Sequence, residues 1–313
     1  MNPQNPNWQR LNFDVLPTPR IGCSLLRRPK NRKLMLFGGI SPSQGNLNDL
    51  WIVGNRGWER IDSGVLPSGR RFMSLVYDES RETAILFGGI ENGGKLPEDT
   101  WSFDGSIWTK RETSTSPTPR TNASMAYDAA RKVTVLFGGK TRQGRLTVEM
   151  DDTWIWDGSD WLQLFLNKSP KPRGGASMVF DAKLQAVILF GGDSQGGFLS
   201  DTWIWDGSSW IEQHPTHHPS GRTNAGMAYH AANQQIMLFG GQRSEGAIND
   251  TWIWDGQDWA LLQTMASPPI ESAFYPNLDY DPIRQTIMLY TAIEVKKDRP
   301  EDLVAQSEVW ALI

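Results

Sequence analysis

The chain has 313 residues, 21% charged and 39% hydrophobic, with 30 Gly, 19 Pro and 15 Trp, which excludes a disordered polymer and describes a turn-rich, aromatic-rich fold. A formal net charge of -4 supplies no basic footprint for a phosphate backbone, so no nucleic-acid partner is expected. Cys23 is the single cysteine and reads as a buried thiol; without a possible internal disulfide, a secretory pattern in MNPQNPNWQRLNF or an apolar run of membrane-spanning length, the expected location is cytoplasmic.

In chain order, a strand-like segment Trp8-Gln-Arg-Leu11 comes first and Arg20 follows it. Apolar runs ending in Phe-Gly-Gly then recur at Phe37, Phe87, Phe137, Phe190 and Phe239, and a worn sixth copy ends at Tyr290-Thr291-Ala292. Downstream of each stands a Trp in a strand-like segment, at Trp51, Trp101, Trp154, Trp203, Trp252 and Trp310. Seven residues beyond the first five comes another: Trp58, Trp108, Trp161, Trp210 and Trp259. The third copy illustrates the unit. Thr121–Tyr127 and Val133–Phe137 read as its first two strands and Asp152–Trp156 as the third. Asp157-Gly158 supplies the tight hairpin into a fourth strand near Trp161. Nothing in the unit has helical periodicity. A small sheet that is apolar on both faces must pack against its copies, and a radial arrangement protects the edges.

The sixth copy stops at Trp310-Ala-Leu-Ile313, before a fourth strand. Trp8 precedes Arg20 by 12 residues, and Trp58, Trp108, Trp161 and Trp210 precede Arg70, Arg120, Arg173 and Arg222 by the same 12. The spacing predicts that the segment around Trp8 completes the last sheet. The expectation is an all-β, six-bladed propeller in one domain. Its blades fall at 20–62, 70–112, 120–165, 173–214, 222–263 and 271–313, the last joined by 7–12.

These residues resemble the Kelch-repeat β-propeller family, which has a double glycine closing the second strand, then a spaced aromatic pair, at a period near fifty. The resemblance covers essentially the whole chain. It implies a recognition role and also admits enzymes, since Kelch relatives include a sialic acid mutarotase and specifier proteins. Arginines at the entry to the first strand line the ligand pocket in some relatives.

In register, the length variation falls in one loop per blade. From the second Gly to the third-strand Trp the distances are 12, 12, 15, 11 and 11, then 18 from Ala292. That loop opens on the face where the chain arrives from the preceding blade, and variable loops on a rigid scaffold are where binding chemistry sits. Arg20, Arg70, Arg120, Arg173 and Arg222 enter at this face. They are either a ring of forked donors for an anionic group or the partners of Asp49, Asp99, Asp152, Asp201, Asp250 and Glu308. Glu271 stands 12 residues after Trp259, in the arginine slot, as a candidate catalytic base; counting back from Asp281 puts Ala273 there instead. Arg142, Arg145 and Phe198 are candidate ligand-binding residues in the loops of blades 3 and 4. The stretch from Ile293 to Gln306, with a short helix at Pro300 to Ala305, is either a lid or a linker. His214, His217 and His218 read as surface residues, so no metal is expected, and no cofactor motif is present. The leading expectation is a module that binds a protein segment or an anionic small molecule. The alternative is a small-molecule isomerase, lyase or cyclase in the propeller mouth. The oligomeric state is left open.

Overall fold

The computed structural model describes residues 6–28, 33–54, 57–296 and 303–313. Each repeat forms one antiparallel sheet of four strands, and six such sheets occur among the described residues. In blade 3 they are Ser124–Asp128, Val133–Phe137, Thr153–Trp156 and Trp161–Leu164, paired in sequence order. The second strand sits between two neighbours and is buried from Thr134 to Phe137. Gly138 and Gly139 end it at φ of 65° and 99°, backbone angles that side-chain-bearing residues avoid. The first strand begins three residues later than its sequence pattern suggests, because Asn122 takes φ 54° and breaks the extension. Thr121 instead bridges Lys140. First strands of successive blades touch around the whole ring, the sixth against the first as well, so all six sheets share one axis.

Closure follows the predicted latch. Trp8–Leu11 pairs antiparallel with Leu303–Leu312, Trp8 opposite Leu312 and Leu11 opposite Val309. The packing chemistry explains the choice. Each fourth-strand Trp lies on the aromatic residue that ends the second strand of the preceding blade: Trp108 on Phe37 at 4.9 Å, Trp161 on Phe87 at 5.5 Å, Trp210 on Phe137 at 5.3 Å, Trp259 on Phe190 at 5.2 Å. Trp8 fills the same position on Phe239 at 5.2 Å, and Trp58 lies on Tyr290 at 5.8 Å, so the seam repeats the contact of every other blade boundary. The indole N–H of Trp8 donates to Thr251 Oγ1 at 2.9 Å, as Trp161 does to Thr100 and Trp259 to Thr202. Regular placement of these buried indoles makes them core.

The sixth blade departs from the repeat for a physical reason. Where Gly-Gly turns the chain aside elsewhere, Thr291 and Ala292 continue the extension. Thr286–Lys296 and Leu303–Leu312 therefore run on as a long hairpin, paired as far as Lys296 with Leu303. The helical stretch expected from Pro300 to Ala305 is corrected from Leu303 onward, which is strand; residues 300–302 lie outside the described residues.

Candidate functional site

The Gly-Gly turns and the arginines arriving in the next blade meet on one face, which fixes it as the variable-loop face. Gly139 N–H donates to Arg173 O at 2.8 Å, and Gly192 N–H to Arg222 O at 2.8 Å. The five arginines of this face are not open donors. Each side chain is 0–1% exposed and its guanidinium is used up locally. Arg120 donates from Nε to Thr118 O at 2.9 Å, from Nη1 to Gly138 O at 2.8 Å, and to both oxygens of Asp152 at 2.5 and 2.8 Å. Arg20, Arg70, Arg173 and Arg222 repeat the pattern with Asp49, Asp99, Asp201 and Asp250. A second donor, the third-strand indole, reaches the same carboxylates, Trp154 to Asp152 at 2.7 Å for example. Burial on its own raises the Asp152 carboxyl, but the hydrogen bonds and charge of Arg120 outweigh it and hold the group below the usual carboxylate range. The same balance lowers Asp49, Asp99 and Asp201. In blade 6 there is no such arginine, and Glu308 pairs with Arg10 at 3.2 Å and with the Trp310 indole.

Glu271 does not occupy the arginine slot. Two residues beyond each arginine the backbone turns to positive φ, at Gly22, Phe72, Asn122, Gly175 and Asn224, and blade 6 makes that turn at Tyr275, φ 49°. Ala273 therefore holds the slot. Glu271 lies two residues earlier, exposed in the short 3-10 turn Ile270–Ala273, because this copy carries two additional residues ahead of its first strand.

The positive-φ residues themselves line the axial mouth, a shallow opening of about 160 Å³. Their backbones form a belt: Phe72 N–H donates to Gly22 O at 2.7 Å, Asn122 to Phe72 at 3.0 Å, Gly175 to Asn122 at 2.8 Å and Asn224 to Gly175 at 2.7 Å. The rings of Phe72 and Tyr275 meet at 4.9 Å across Gly22, where an added Cβ would stand 2.6 Å from the Phe72 ring. Glycine in blade 1 thus lets two aromatic rings narrow the mouth. Cys23 is buried beside them, and burial pushes its thiol up to about 12.

Around this mouth the loops form a rim. Lys140–Gln143 and Leu146–Glu149 make a hairpin in blade 3 that exposes Arg142 and Arg145, the former against Gly94 of blade 2. Neither arginine has an ion pair or side-chain hydrogen bond among the described residues. Phe198, 38% exposed, tops the small hairpin of blade 4. Between the long hairpin of blade 6 and the loop of blade 1 runs an apolar groove of about 270 Å³, lined by Ile21, Ile40, Pro42, Ala292, Ile293 and Ala305. None of the described hairpin residues lines the axial mouth. His214, His217 and His218 are exposed, His217 beside Asp258 at 2.8 Å, and no metal-holding cluster occurs among the described residues. No described helix is long and apolar enough to cross a membrane.

A residue that sequence reasoning passed over is Asp279. It sits in the first strand of blade 6 where the other blades carry Leu26, Val76, Ala126, Val179 and Ala228, and it faces the propeller axis. In register across the first strands, it is the one carboxylate of that layer.

Among protein-family models, the KLHDC2/KLHL20/DRC7 Kelch-repeats domain matches residues 1–161, about half of the chain. A search of curated proteins finds no match.

Proposed function

From the premise that the chain belongs to the Kelch-repeat family, we propose that it is a recognition module that captures an extended polypeptide segment across its variable-loop face. The observation that carries this reading is the apolar groove between blades 6 and 1, which lies on the opposite side of the ring from the unpaired Arg142 and Arg145 of blade 3. A small molecule reaches one of these features. An extended chain reaches both, with an apolar side chain in the groove and acidic side chains at the arginines. The preference for an anionic group rests on these two rim residues, because the buried arginine ring is already neutralised by its aspartates. Phe198, exposed on the small hairpin of blade 4, offers an apolar contact on the same face. An isomerase, lyase or cyclase in the mouth would need a base there, and Glu271 is not among the residues that line it. A cytoplasmic setting and the lack of a nucleic-acid partner belong to the same reading and rest on Cys23 and the net charge.

The test is selection from a random peptide library, followed by affinity measurement on the enriched sequences. Acidic sequences with one large apolar residue are expected. Their affinity should fall at least tenfold in an Arg142→Glu/Arg145→Glu variant and in Ile293→Asp. Peptides that bind both variants as well as wild type would remove the basis for this face as the site.

A further inference from the structure

A space on the axis opens on the other face, among the short hairpins that join first and second strands. It has a volume of about 360 Å³, within the range of small-molecule sites. Above it a layer of serines ties blade to blade: Ser74 Oγ donates to Ala123 O at 2.8 Å, Ser124 to Ala176 O and Ser177 to Ala225 O, both at 2.7 Å. Beyond that layer the Phe72–Tyr275 pair narrows the opposite mouth. The cavity belongs to neither the groove nor the rim described above.

One layer of its otherwise largely aliphatic wall is aromatic by register. The fourth residue of the first strand is Tyr77, Tyr127, Phe180, Tyr229 and Tyr280 in blades 2 to 6, and Arg27 in blade 1. These rings span the seams between blades. Tyr127 Oη accepts the Ser80 N–H of blade 2 at 3.2 Å, Tyr229 reaches the Lys183 backbone of blade 4, and the Tyr280 ring lies 5.1 Å from that of His230 in blade 5.

The charges in this wall do not cancel. Arg27 Nη2 pairs with Glu79 Oε1 at 3.0 Å, which leaves Asp279 as the surplus. Its carboxylate accepts the backbone N–H of Arg27 through Oδ2 and of Tyr280 through Oδ1, the latter at 2.7 Å. Two of roughly four lone-pair sites are therefore still available. An aromatic wall with one carboxylate is the chemistry that recognises an organic ammonium group, through the negative ring faces and a single counter-charge. We propose that this axial cavity binds a small organic cation, an alkylammonium group seated among the tyrosine rings with its charge against Asp279.

Burial pushes the Asp279 carboxyl up to about 6, with Arg27 pulling it down and Glu79 adding to the rise. From blade 5, Tyr229 and His230 lie on the neighbouring strand, and burial holds His230 below its ordinary value, so it is neutral at pH 7 and above. Cation affinity should consequently be full near pH 8 and decline as Asp279 takes up a proton, by about tenfold at pH 5.

Calorimetric titration of the whole chain with choline, tetramethylammonium and the neutral isostere 3,3-dimethylbutan-1-ol tests this directly. Choline is expected to bind at least tenfold more tightly than the alcohol at pH 8. An Asp279→Asn variant should lose that difference together with the pH dependence, and Ala231→Trp, at the cavity rim, should block both ligands. The inference is overturned if choline and the alcohol bind alike, if Asp279→Asn keeps the preference for the cation, or if neither ammonium probe binds wild type at 10 mM. The comparison of choline with alcohol on wild type needs no variant to fold.

Discussion

Replacing Arg120 by Ala separates an architectural role of the arginine ring from a ligand-binding one. The guanidinium is fully buried and makes four hydrogen bonds, two of them to Asp152, whose side chain is only 13% exposed. Removing it strands a desolvated carboxylate and two backbone carbonyls, a loss of about 3–5 kcal/mol. For a domain of 313 residues that lowers the melting temperature by roughly 5–8 °C. Replacing both partners, as Arg120→Leu/Asp152→Leu, removes the uncompensated charge and should recover about 1–4 kcal/mol relative to Arg120→Leu alone. The pH dependence carries a sign. Asp152 is lowered in the folded state, so its contribution is present above about pH 4 and disappears as pH falls through the folded value. The gap between wild type and Arg120→Ala should therefore narrow in acid. Thermal and urea denaturation between pH 3 and pH 8 measure all of this. Should Arg120→Ala melt within about 1 °C of wild type at pH 7, the arginine is not architectural and the ring is available to a ligand after all.

The latch is open to the same kind of test. Trp8→Ala removes the ring that covers Phe239 and the hydrogen bond to Thr251, which is worth about 3–5 kcal/mol, and urea denaturation should record it with faster amide exchange along Leu303–Leu312. At the axis the sign reverses. Because Asp279 is raised in the folded state, wild type loses stability as pH climbs from about 4 to 6; Asp279→Asn should match wild type at pH 4 and exceed it by about 1–3 kcal/mol at pH 7, as thermal melts at the two pH values would record.

Much of the architecture was legible because it repeats. The 12-residue spacing from Trp8 to Arg20 announced the missing fourth strand, and the indole of Trp8 does what those of Trp161 and Trp259 do. The face of the variable loops was legible too. Whether the arginines were paired was not, since Arg120 and Asp152 lie 32 residues apart and meet only after two strands have folded past each other. The sequence left the arginine slot of blade 6 open between Glu271 and Ala273, because a count forward from Trp259 crosses two additional residues; the backbone turn at Tyr275 sets the register from the other side. Asp279 escaped notice inside Asn277–Asp281, which alternates as an ordinary strand does; only its cross-blade equivalents reveal that a carboxylate has replaced an apolar residue. The narrowing of the mouth was invisible for a different reason. It needs Phe72 and Tyr275 from blades on either side of Gly22, a juxtaposition that exists only in the closed ring.

That Trp8–Leu11 finds its place beside Leu303–Leu312 has a temporal side. On a ribosome adding about 5–20 residues per second, the first of these segments emerges roughly 15–60 s before its partner has been synthesised. Throughout that interval a short ribbon carrying an uncovered indole trails from the nascent chain with nowhere native to dock. Arg10, Glu59 and Arg60, solvent-facing or nearly so on the outermost ribbons, keep such edges charged and poor templates for a neighbouring polysome product. Cooperativity then comes late and all at once, when the final hairpin appears and the annulus can close.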